Sequence, residues 1–329
     1  MSAPPLVSIV IPAFNAEKVL PDALESVRTQ THTHFEALIV DDGSTDRTNE
    51  IASEYATNDK RFRCLQQSNA GSAIARNTAL KQARGQWIAF LDADDVWFPT
   101  KLEAQLRLSD EDSDANLLFS NYWIWNGGKD RCLRYSRRRE FPEGDLVSRL
   151  YRGNTFGTST VMVRRDMMDR VVGLDPELRH VHDWDLWLRI SEAGLRARGV
   201  WEPQIRYRIW SGNVTANRVR NATFAVRVME KAVARAASQS FAQLENYRYG
   251  LRLARARLEL ATAQSLIDTS PSEARAAVFR AWRCRPGRVE WLIRYLALAW
   301  PAALGGVWTA RAASTAIKQW RVGWRSENS

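Results

Sequence analysis

One stretch of the sequence constrains the fold more than any other: an apolar run at residues 87–91 that ends abruptly in acidic residues. A short apolar run without alternation is typical of a strand buried on both faces of a parallel sheet. In open α/β sheets the ligand crevice lies beyond the carboxyl ends of the strands. The run therefore predicts that Asp92 and Asp94 lie at a ligand site. The alternative is that Asp94 or Asp95 only caps a helix expected from Pro99.

The spacing of these acids indicates the kind of ligand. Two carboxylates separated by one residue suit a hard divalent cation such as Mg²⁺ or Mn²⁺, which takes oxygen ligands and is usually shared with substrate phosphates. Asp92 and Asp94 are therefore candidates for a metal site that holds a phosphate-bearing substrate.

Strands and helices alternate ahead of this run. Strands are predicted at residues 7–11, 35–40 and 62–65, and helices at 17–30, 46–55 and 71–83. Gly85 is expected to end the third helix in the left-handed conformation. The alternation predicts a parallel, doubly wound nucleotide-binding half over about residues 1–95. The chain contains neither Gly-x-Gly-x-x-Gly after the first strand nor Gly-Lys-Ser/Thr, which disfavours the dinucleotide-binding and P-loop versions.

The chain between about residues 96 and 218 has a mixed pattern. A helix is predicted at residues 99–108 and another after residue 182, with strands at 116–120, 158–163 and 205–210 and a hairpin turning at 126–128. The second half of the domain is therefore expected to be a mixed α/β structure.

The net charge of +10 is unevenly distributed. Residues 1–219 carry 29 Lys+Arg and 30 Asp+Glu, whereas residues 220–329 carry 18 and 7. The basic character belongs to the C-terminal third, so nucleic acid is not expected as a partner of the N-terminal domain.

The C-terminal third is rich in Ala and Arg and has helical periodicity from about Val219. Residues 295–310 carry no charge and contain Trp300 and Trp308. This stretch is short for a membrane span but suits a membrane interface, and an anionic membrane surface is one predicted partner. The alternatives are a buried helical hairpin or a contact between copies of the chain.

The cysteines and the N-terminus bear on the compartment. The three cysteines are widely spaced, and no secretory signal precedes the first strand. A reducing environment is the simplest explanation. We expect a cytoplasmic protein, with peripheral attachment to the inner face of the cell membrane as a further expectation.

Five segments, in this order along the chain, resemble the signatures of family 2 inverting glycosyltransferases with a GT-A type fold. They are VSIVIPAFN at 7–15, VDDGSTD at 40–46, NAG at 69–71 with ARN at 75–77, FLDADD at 90–95, and HDWDLWLR at 182–189. The resemblance covers about residues 6–215. It implies an α/β catalytic domain at 1–218, with a mixed, mostly parallel central sheet and an acceptor half at about 96–218. A basic α-helical C-terminal region would then occupy residues 219–329.

The resemblance also assigns residues to the donor. Nucleotide-binding roles are implied for Pro12, Ala13, Phe14, Asn15, Asp42, Arg76 and Asp92. Phe14 would stack on the base, and Asp42 would accept the imide hydrogen of uracil. Arg76 would face the nucleotide or its phosphates. Asp94 would be the main metal ligand, with Asp92 near the ribose and the metal.

The acceptor side has one assigned residue and two departures from the family pattern. By resemblance, Asp183 is the catalytic base. His182 stands where many relatives have Glu, and Trp210 stands where many have a His that helps to hold the metal or diphosphate. His182 is therefore a further candidate for the metal, or simply a polar residue that precedes a helix.

The implied activity is transfer of a sugar from a nucleoside-diphosphate donor, with a UDP-sugar favoured, to a glycan or lipid-linked acceptor. The reaction would be a single inverting displacement in the synthesis of a polysaccharide or other cell-envelope glycan. One alternative is a nucleotide-sugar-binding protein of the same fold with impaired catalysis. A nucleotidyltransferase is disfavoured because it would need a Gly-rich basic loop after the first strand. No motif specifies the donor sugar, the acceptor or the linkage.

Overall fold

The computed structural model describes residues 6–125, 133–134, 147–209, 217–237 and 241–285. The chain divides into two compact units, Met1–Asn213 and Val214–Ser329. The predictions made for the turn at 126–128, for Trp210 and for the uncharged stretch 295–310 lie outside the described residues.

The first unit is built around a nine-stranded sheet. Its strands are β1 (Val7–Ala13), β2 (Phe35–Asp41), β3 (Phe62–Gln66), β4 (Trp87–Phe90), β5 (Val96–Trp97), β6 (Leu117–Trp125), β7 (Leu133–Arg134), β8 (Met162–Arg164) and β9 (Ala197–Arg208). The strand order is β3-β2-β1-β4-β8-β6-β9-β5, with β7 beside β6. Strands β5, β7 and β8 run against the other six, so the predicted mixed, mostly parallel sheet is confirmed.

Helices connect the strands of this unit. They are α1 (Leu20–Arg28), α2 (Thr48–Asn58), α3 (Ser72–Gln82), α4 (Lys101–Glu111), α5 (Val147–Leu150), α6 (Arg165–Val171) and α7 (His182–Glu192). Helices α1 to α3 are the crossovers between parallel strands, which need such a connection. Strands β1, β2 and β4 are fully buried. The parallel pairing of β3, β2, β1 and β4 brings the ends of these strands to one edge of the sheet.

Strand β8 lies antiparallel to β4 and corrects one prediction. A strand was expected over residues 158–163, but Thr158–Thr160 forms a 3₁₀ turn and β8 begins only at Met162. The hydroxyl of Thr160 donates to the carbonyl of Gly157 at 2.7 Å, a local bond that competes with strand pairing. Because Ala89 pairs with Met162, the turn lies beside the carboxyl end of β4.

Gly85 also differs from its prediction. It does not have a positive φ, and α3 ends at Gln82. A Cβ atom at Gly85 would lie 2.5 Å from the backbone nitrogen of Ser8 and 2.8 Å from the carbonyl oxygen of Leu6. A glycine is needed here because two backbone segments approach closely, and no left-handed turn is involved.

The second unit is helical in its described part, as predicted. Its helices are α8 (Arg218–Ala236), α9 (Phe241–Leu266) and α10 (Pro271–Cys284). Small side chains dominate the contact between α9 and α10, including Ala256, Ala263, Ala274 and Ala277. None of the helices in the described residues is both long enough and apolar enough to cross a bilayer.

Candidate active site

The loop after β1 presents one aromatic ring to solvent. Pro12 and Ala13 are buried in the strand, whereas the side chain of Phe14 is 49% exposed. Asn15 adopts a left-handed conformation with φ 48°. Its side-chain oxygen accepts from the backbone N–H of Thr45 at 2.9 Å, so Asn15 ties this loop to the loop after β2. Of these four predicted nucleotide-binding residues, only Phe14 presents a large apolar surface.

Asp42 follows β2 and holds the loop that leads into α3. Its Oδ1 accepts from the side chain of Gln67 at 2.7 Å and from the backbone N–H of Ala70 at 2.9 Å. Its Oδ2 accepts from the backbone N–H of Gly71 at 2.8 Å. A carboxylate oxygen has two lone pairs, so Oδ2 can take one further donor. Gln67 was not singled out from the sequence.

Arg76 lies on the buried face of α3, and its guanidinium points into the protein. One nitrogen, Nη2, donates to Oδ1 of Asp92 in an ion pair. The other, Nη1, lies 2.7 Å from Nε2 of His182 and 3.4 Å from the carbonyl of Ser72. In the structure Arg76 connects the end of β4 to the start of α7. The expectation that it faces the nucleotide or its phosphates stays a prediction.

Burial and the contact with Arg76 together set the protonation state of His182. Burial, together with the positive charge of Arg76, lowers the pKa of His182 well below its ordinary value. The imidazole is therefore neutral, and its Nε2 accepts from the guanidinium. A nitrogen engaged in this way has no lone pair for a cation, and Nδ1 carries the proton of the neutral ring. This contact disfavours the metal-binding role predicted for His182.

The three acids after β4 have different surroundings. Asp92 and Asp94 are partly exposed, whereas Asp95 is buried. Oδ2 of Asp95 accepts from the hydroxyl of Ser159 at 2.5 Å, and its Oδ1 accepts from the backbone N–H of Arg208 at 3.0 Å. Ser159 also accepts from the backbone N–H of Asp92 at 3.0 Å. Asp95 thus fixes the segment that carries the other two acids.

The alternative of simple helix capping does not fit these contacts. The residue before α4 is Thr100, and no side chain caps that helix. Burial and the negative charges of Asp92 and Asp94 raise the pKa of Asp95 well above its ordinary value. Asp95 is therefore a structural acid, while Asp92 and Asp94 face the edge of the sheet.

The two partly exposed acids fit part of a cation site. Among the described residues, no group of three His, Cys, Asp or Glu side chains is arranged to hold a metal ion. Mg²⁺ and Mn²⁺ nevertheless bind through one or two carboxylates when phosphates and waters complete the shell. Asp94 and Asp92 supply that number of carboxylates.

Asp183 lies in the first turn of α7, on a different element from the acids that follow β4. Its Oδ2 accepts from the side-chain amide of Asn154 at 2.7 Å and from the hydroxyl of Thr158 at 3.1 Å. Burial raises the pKa of Asp183, while the Asn154 hydrogen bond and the charge of Arg76 act in the opposite direction. The residue before the helix, Val181, has φ 57°, a strained conformation for a β-branched residue.

Asn154, Thr158 and Ser159 were missed by sequence reasoning. The available signal was a run of three hydroxyl residues, 158–160, directly ahead of a buried strand. Their partners are more than 20 residues away in sequence, so local pattern could not assign them.

In this unit a parallel half presents paired acids at its strand ends, and the mixed half supplies a separate carboxylate. That division is typical of GT-A type glycosyltransferase domains. Sequence comparison gives the family: a model described as Glycosyl transferase family 2 matches residues 8–172. The chain belongs to this family and is a glycosyltransferase, as the sequence motifs predicted. The matched region ends before Asp183.

The alignments with two relatives extend over most of the length of those relatives. The chain is 34% identical over 215 residues to the putative teichuronic acid biosynthesis glycosyltransferase TuaG of Bacillus subtilis (strain 168), covering 65% of this chain and 83% of that protein. It is 34% identical over 220 residues to the UDP-Glc:alpha-D-GlcNAc-diphosphoundecaprenol beta-1,3-glucosyltransferase WfaP of Escherichia coli, covering 65% and 82%.

A solved structure shares the fold. S. aureus TarS 1-349 in complex with UDP-GlcNAc superposes with a TM-score of 0.64 at 20% identity, covering 96% of this chain and 92% of that chain. The likeness agrees with the GT-A type fold predicted from the motifs.

Proposed function

We propose that this glycosyltransferase moves a sugar from a UDP-sugar to a glycan or lipid-linked acceptor with inversion at the anomeric carbon. The observation that carries the proposal is that Asp92 and Asp94 lie in the segment after β4, whereas Asp183 lies on a different element, α7. The first pair suits a diphosphate with its cation, and the second site suits an acceptor hydroxyl. The UDP-glucose donor and diphosphoundecaprenol-linked acceptor in the name of WfaP support these substrate classes.

In this proposal the nucleotide lies across the ends of β1, β2 and β4. Phe14 stacks on the base, and Oδ2 of Asp42 accepts the imide hydrogen of uracil in addition to its bond from Gly71. A charged acceptor suits this donor because charge-assisted hydrogen bonds are stronger than neutral ones. Pro12, Ala13 and Asn15 shape the loop beneath the base, and Asp92 lies beside the ribose.

The chemical step needs a proton acceptor opposite the leaving diphosphate. Asp183 takes the proton from the acceptor hydroxyl as its oxygen bonds to the anomeric carbon. The bond from that carbon to the diphosphate breaks, and its electron pair leaves with the diphosphate. A raised pKa makes Asp183 a better base than an ordinary aspartate. A Mg²⁺ or Mn²⁺ ion held by Asp94 and Asp92 would act as a Lewis acid on the diphosphate.

The test of this proposal is Asp183→Asn. The amide keeps the size of the side chain but cannot take a proton, so turnover should fall by about 10²- to 10⁴-fold. Transfer would be assayed with a panel of nucleotide sugars in Mg²⁺ or Mn²⁺, and UDP affinity, measured by calorimetry, should change little. Asp169→Asn is a matched control, because Asp169 is an exposed acid on α6. Near-normal transfer by Asp183→Asn would refute the assignment, and absence of transfer by the unmodified enzyme with every donor would favour a binding protein.

We also propose that the second unit binds an anionic membrane surface where lipid-linked acceptors reside. Its residues 217–285 contain 13 Lys+Arg and 5 Asp+Glu. Anionic lipid attracts basic residues near its surface by about 1 kcal/mol each. The lipid-linked acceptor in the name of WfaP supports such a location for the substrate.

A further inference from the structure

The 3₁₀ turn Thr158–Thr160 contacts both halves of the candidate site through neighbouring residues. Ser159 bonds Asp95 and the backbone of Asp92, on the donor side. The hydroxyl of Thr158, one residue earlier, donates to Asp183 on the acceptor side. We propose that Thr158 and Asn154 are positioning residues that hold Oδ2 of Asp183 and direct Oδ1 to the acceptor hydroxyl. The inference rests on the proposed role of Asp183 as the base.

The two side-chain donors to Asp183 converge on the same oxygen. Asn154 reaches Oδ2 at 2.7 Å and Thr158 reaches it at 3.1 Å. Two donors from different directions fix the plane of the carboxylate, which otherwise rotates about its last side-chain bond. Because both side-chain donors bind Oδ2, Oδ1 is the oxygen assigned to the proton, and the backbone N–H of Trp184 is a third donor to this carboxylate.

The turn that carries Thr158 is itself held by hydrogen bonds from neighbouring elements, so the position of Thr158 is fixed. The indole N–H of Trp97 donates to the carbonyl of Ser159 at 3.1 Å. The amide of Gln105 donates to the carbonyl of Thr160 at 2.9 Å. Ser159 and Thr160 are both buried, whereas Thr158 is partly exposed on the side of Asp183. The rigid part of the turn faces the core and its first hydroxyl faces the site.

This arrangement has a consequence for catalysis. Adjacent residues of one turn hold both sides of the site. Ser159 binds the segment that carries the donor-side acids, and Thr158 binds the catalytic base, Asp183. The rate depends on how precisely the reacting groups are positioned. A misplacement of about 1 Å can lower it about 100-fold. The turn therefore sets the position of the base relative to the sugar donor.

The test removes one hydroxyl at a time. Thr158→Val keeps the shape of the side chain but cannot donate, and we expect kcat to fall by about 10- to 100-fold while the KM for the donor and the affinity for UDP stay within about twofold. Thr158→Ser retains a hydroxyl and should recover most of the rate. Asn154→Ala should behave like Thr158→Val. Thr155→Val is the matched control, because the hydroxyl of Thr155 donates to the carbonyl of Gly153 at 3.4 Å and, within the described part of the chain, does not hydrogen-bond Asp183.

A double-mutant comparison separates positioning from a general structural role. In an Asp183→Asn background there is no base to position, so adding Thr158→Val should lower the residual rate no further. An equal loss in both backgrounds would overturn the inference, as would a normal kcat for Thr158→Val and Asn154→Ala. Either result leaves the proposed function standing if Asp183→Asn alone lowers turnover by the expected factor of about 10²- to 10⁴-fold. An active Asp183→Asn enzyme would instead refute the proposed function. Thermal unfolding of each variant checks that it is folded.

Discussion

At the scale of single residues, the aspartates of this site differ because their neighbours differ. Asp95 is buried, accepts from Ser159 and from a backbone N–H, and stabilises its own loop. The carboxylate of Asp42 accepts three hydrogen bonds from the loop that leads into α3. Asp183 has donors on one oxygen and partial exposure to solvent. The same side chain thus serves as a structural support in two places and as a candidate base in the third.

The state of Asp183 predicts the pH dependence of transfer. A base must be ionised, so activity is present above its pKa and is lost as the pH falls through it. Burial raises this pKa, while Asn154 and Arg76 favour the charged form, Asp92 disfavours it, and the adjacent His182 is neutral. The acid limb of a kcat profile should therefore lie above the value of about 3.9 expected for an ordinary aspartate.

The variant Asn154→Ala tests whether the acid limb of the kcat profile reports the pKa of Asp183. It removes a hydrogen bond to the ionised carboxylate, so the acid limb should move to higher pH than in the unmodified enzyme. Thr155→Val, which changes the same loop without touching Asp183, should leave the limb where it was. A limb that stays unchanged in Asn154→Ala, or moves to lower pH, would contradict this assignment of the charges.

Sequence reasoning identified the acids of the site better than their partners. Asp92 and Asp94 were singled out because they follow a predicted strand, and Asp183 because residues 182–189 resemble a signature of the family. The direction of Arg76 does not follow, since its contact with His182 spans 106 residues of sequence and depends on how α3 and α7 pack. The same holds for Thr158, whose neighbours in sequence suggested a strand.

At the scale of elements, α4 begins with an unusual residue for a buried position. The side chain of Lys101 is fully buried, lies 4.0 Å from the centre of the Trp97 ring and donates to Gln105 at 2.6 Å. Trp97 and Gln105 are the residues that hold the 3₁₀ turn. A helix was predicted at residues 99–108. The burial of a lysine could not be, because lysine is almost always exposed unless paired.

Lys101 makes stability depend on pH in a defined direction. An unfolded lysine keeps its proton up to about pH 10.4, whereas burial lowers the pKa of Lys101 well below its ordinary value. Between the two pKa values the unfolded chain binds one more proton, so the free energy of unfolding rises with pH by about 1.4 kcal/mol per unit from this residue. Denaturant unfolding between about pH 8 and pH 10 measures the slope.

Lys101→Met isolates that contribution. Other groups titrate in the same range, including the thiol of Cys64, whose pKa is raised by burial. These groups remain in the variant, so the difference in slope between the two proteins reports Lys101 alone. Equal slopes would mean that the buried ammonium keeps its proton in the folded state. An unfolding free energy that fell with pH relative to the variant would reverse the predicted sign.

At the scale of the whole molecule, elements defined by local sequence were predicted well, whereas pairings between segments distant in sequence were not. Strands β1 to β4 and helices α1 to α3 were located within a few residues, because each is defined by local periodicity. In the second half, β6 pairs with both β8 and β9, and β9 runs from Ala197 although only its end from residue 205 was predicted. Those pairings join segments that have no common local pattern, so sequence alone did not give their register.

The uneven charge of the chain leads to the last prediction. Among residues 217–285, Glu230 pairs with Arg255, Glu245 with Arg248 and Glu259 with Arg280. The 13 Lys+Arg of these residues exceed the 5 Asp+Glu by eight, so this described part carries net positive charge whatever ion pairs it forms. The full-length protein should bind vesicles of mixed phosphatidylglycerol and phosphatidylcholine at about 0.1 M salt. It should be released at about 1 M, where the screening length falls to about 3 Å. Flotation of protein with vesicles measures the binding.

Charge variants show whether the second unit is responsible. A triple variant, Arg220→Gln, Arg227→Gln and Arg283→Gln, removes three exposed charges from it. At about 1 kcal/mol for each residue, vesicle affinity should fall about 100-fold. The control variant, Lys60→Gln, Lys81→Gln and Arg107→Gln, makes the same charge change on exposed residues of the first unit and should bind almost normally. Equal losses in both variants would mean that net charge alone drives binding. Equal binding of the unmodified protein to vesicles of phosphatidylcholine alone would contradict an electrostatic membrane contact, because a zwitterionic surface has no net negative charge to attract the arginines.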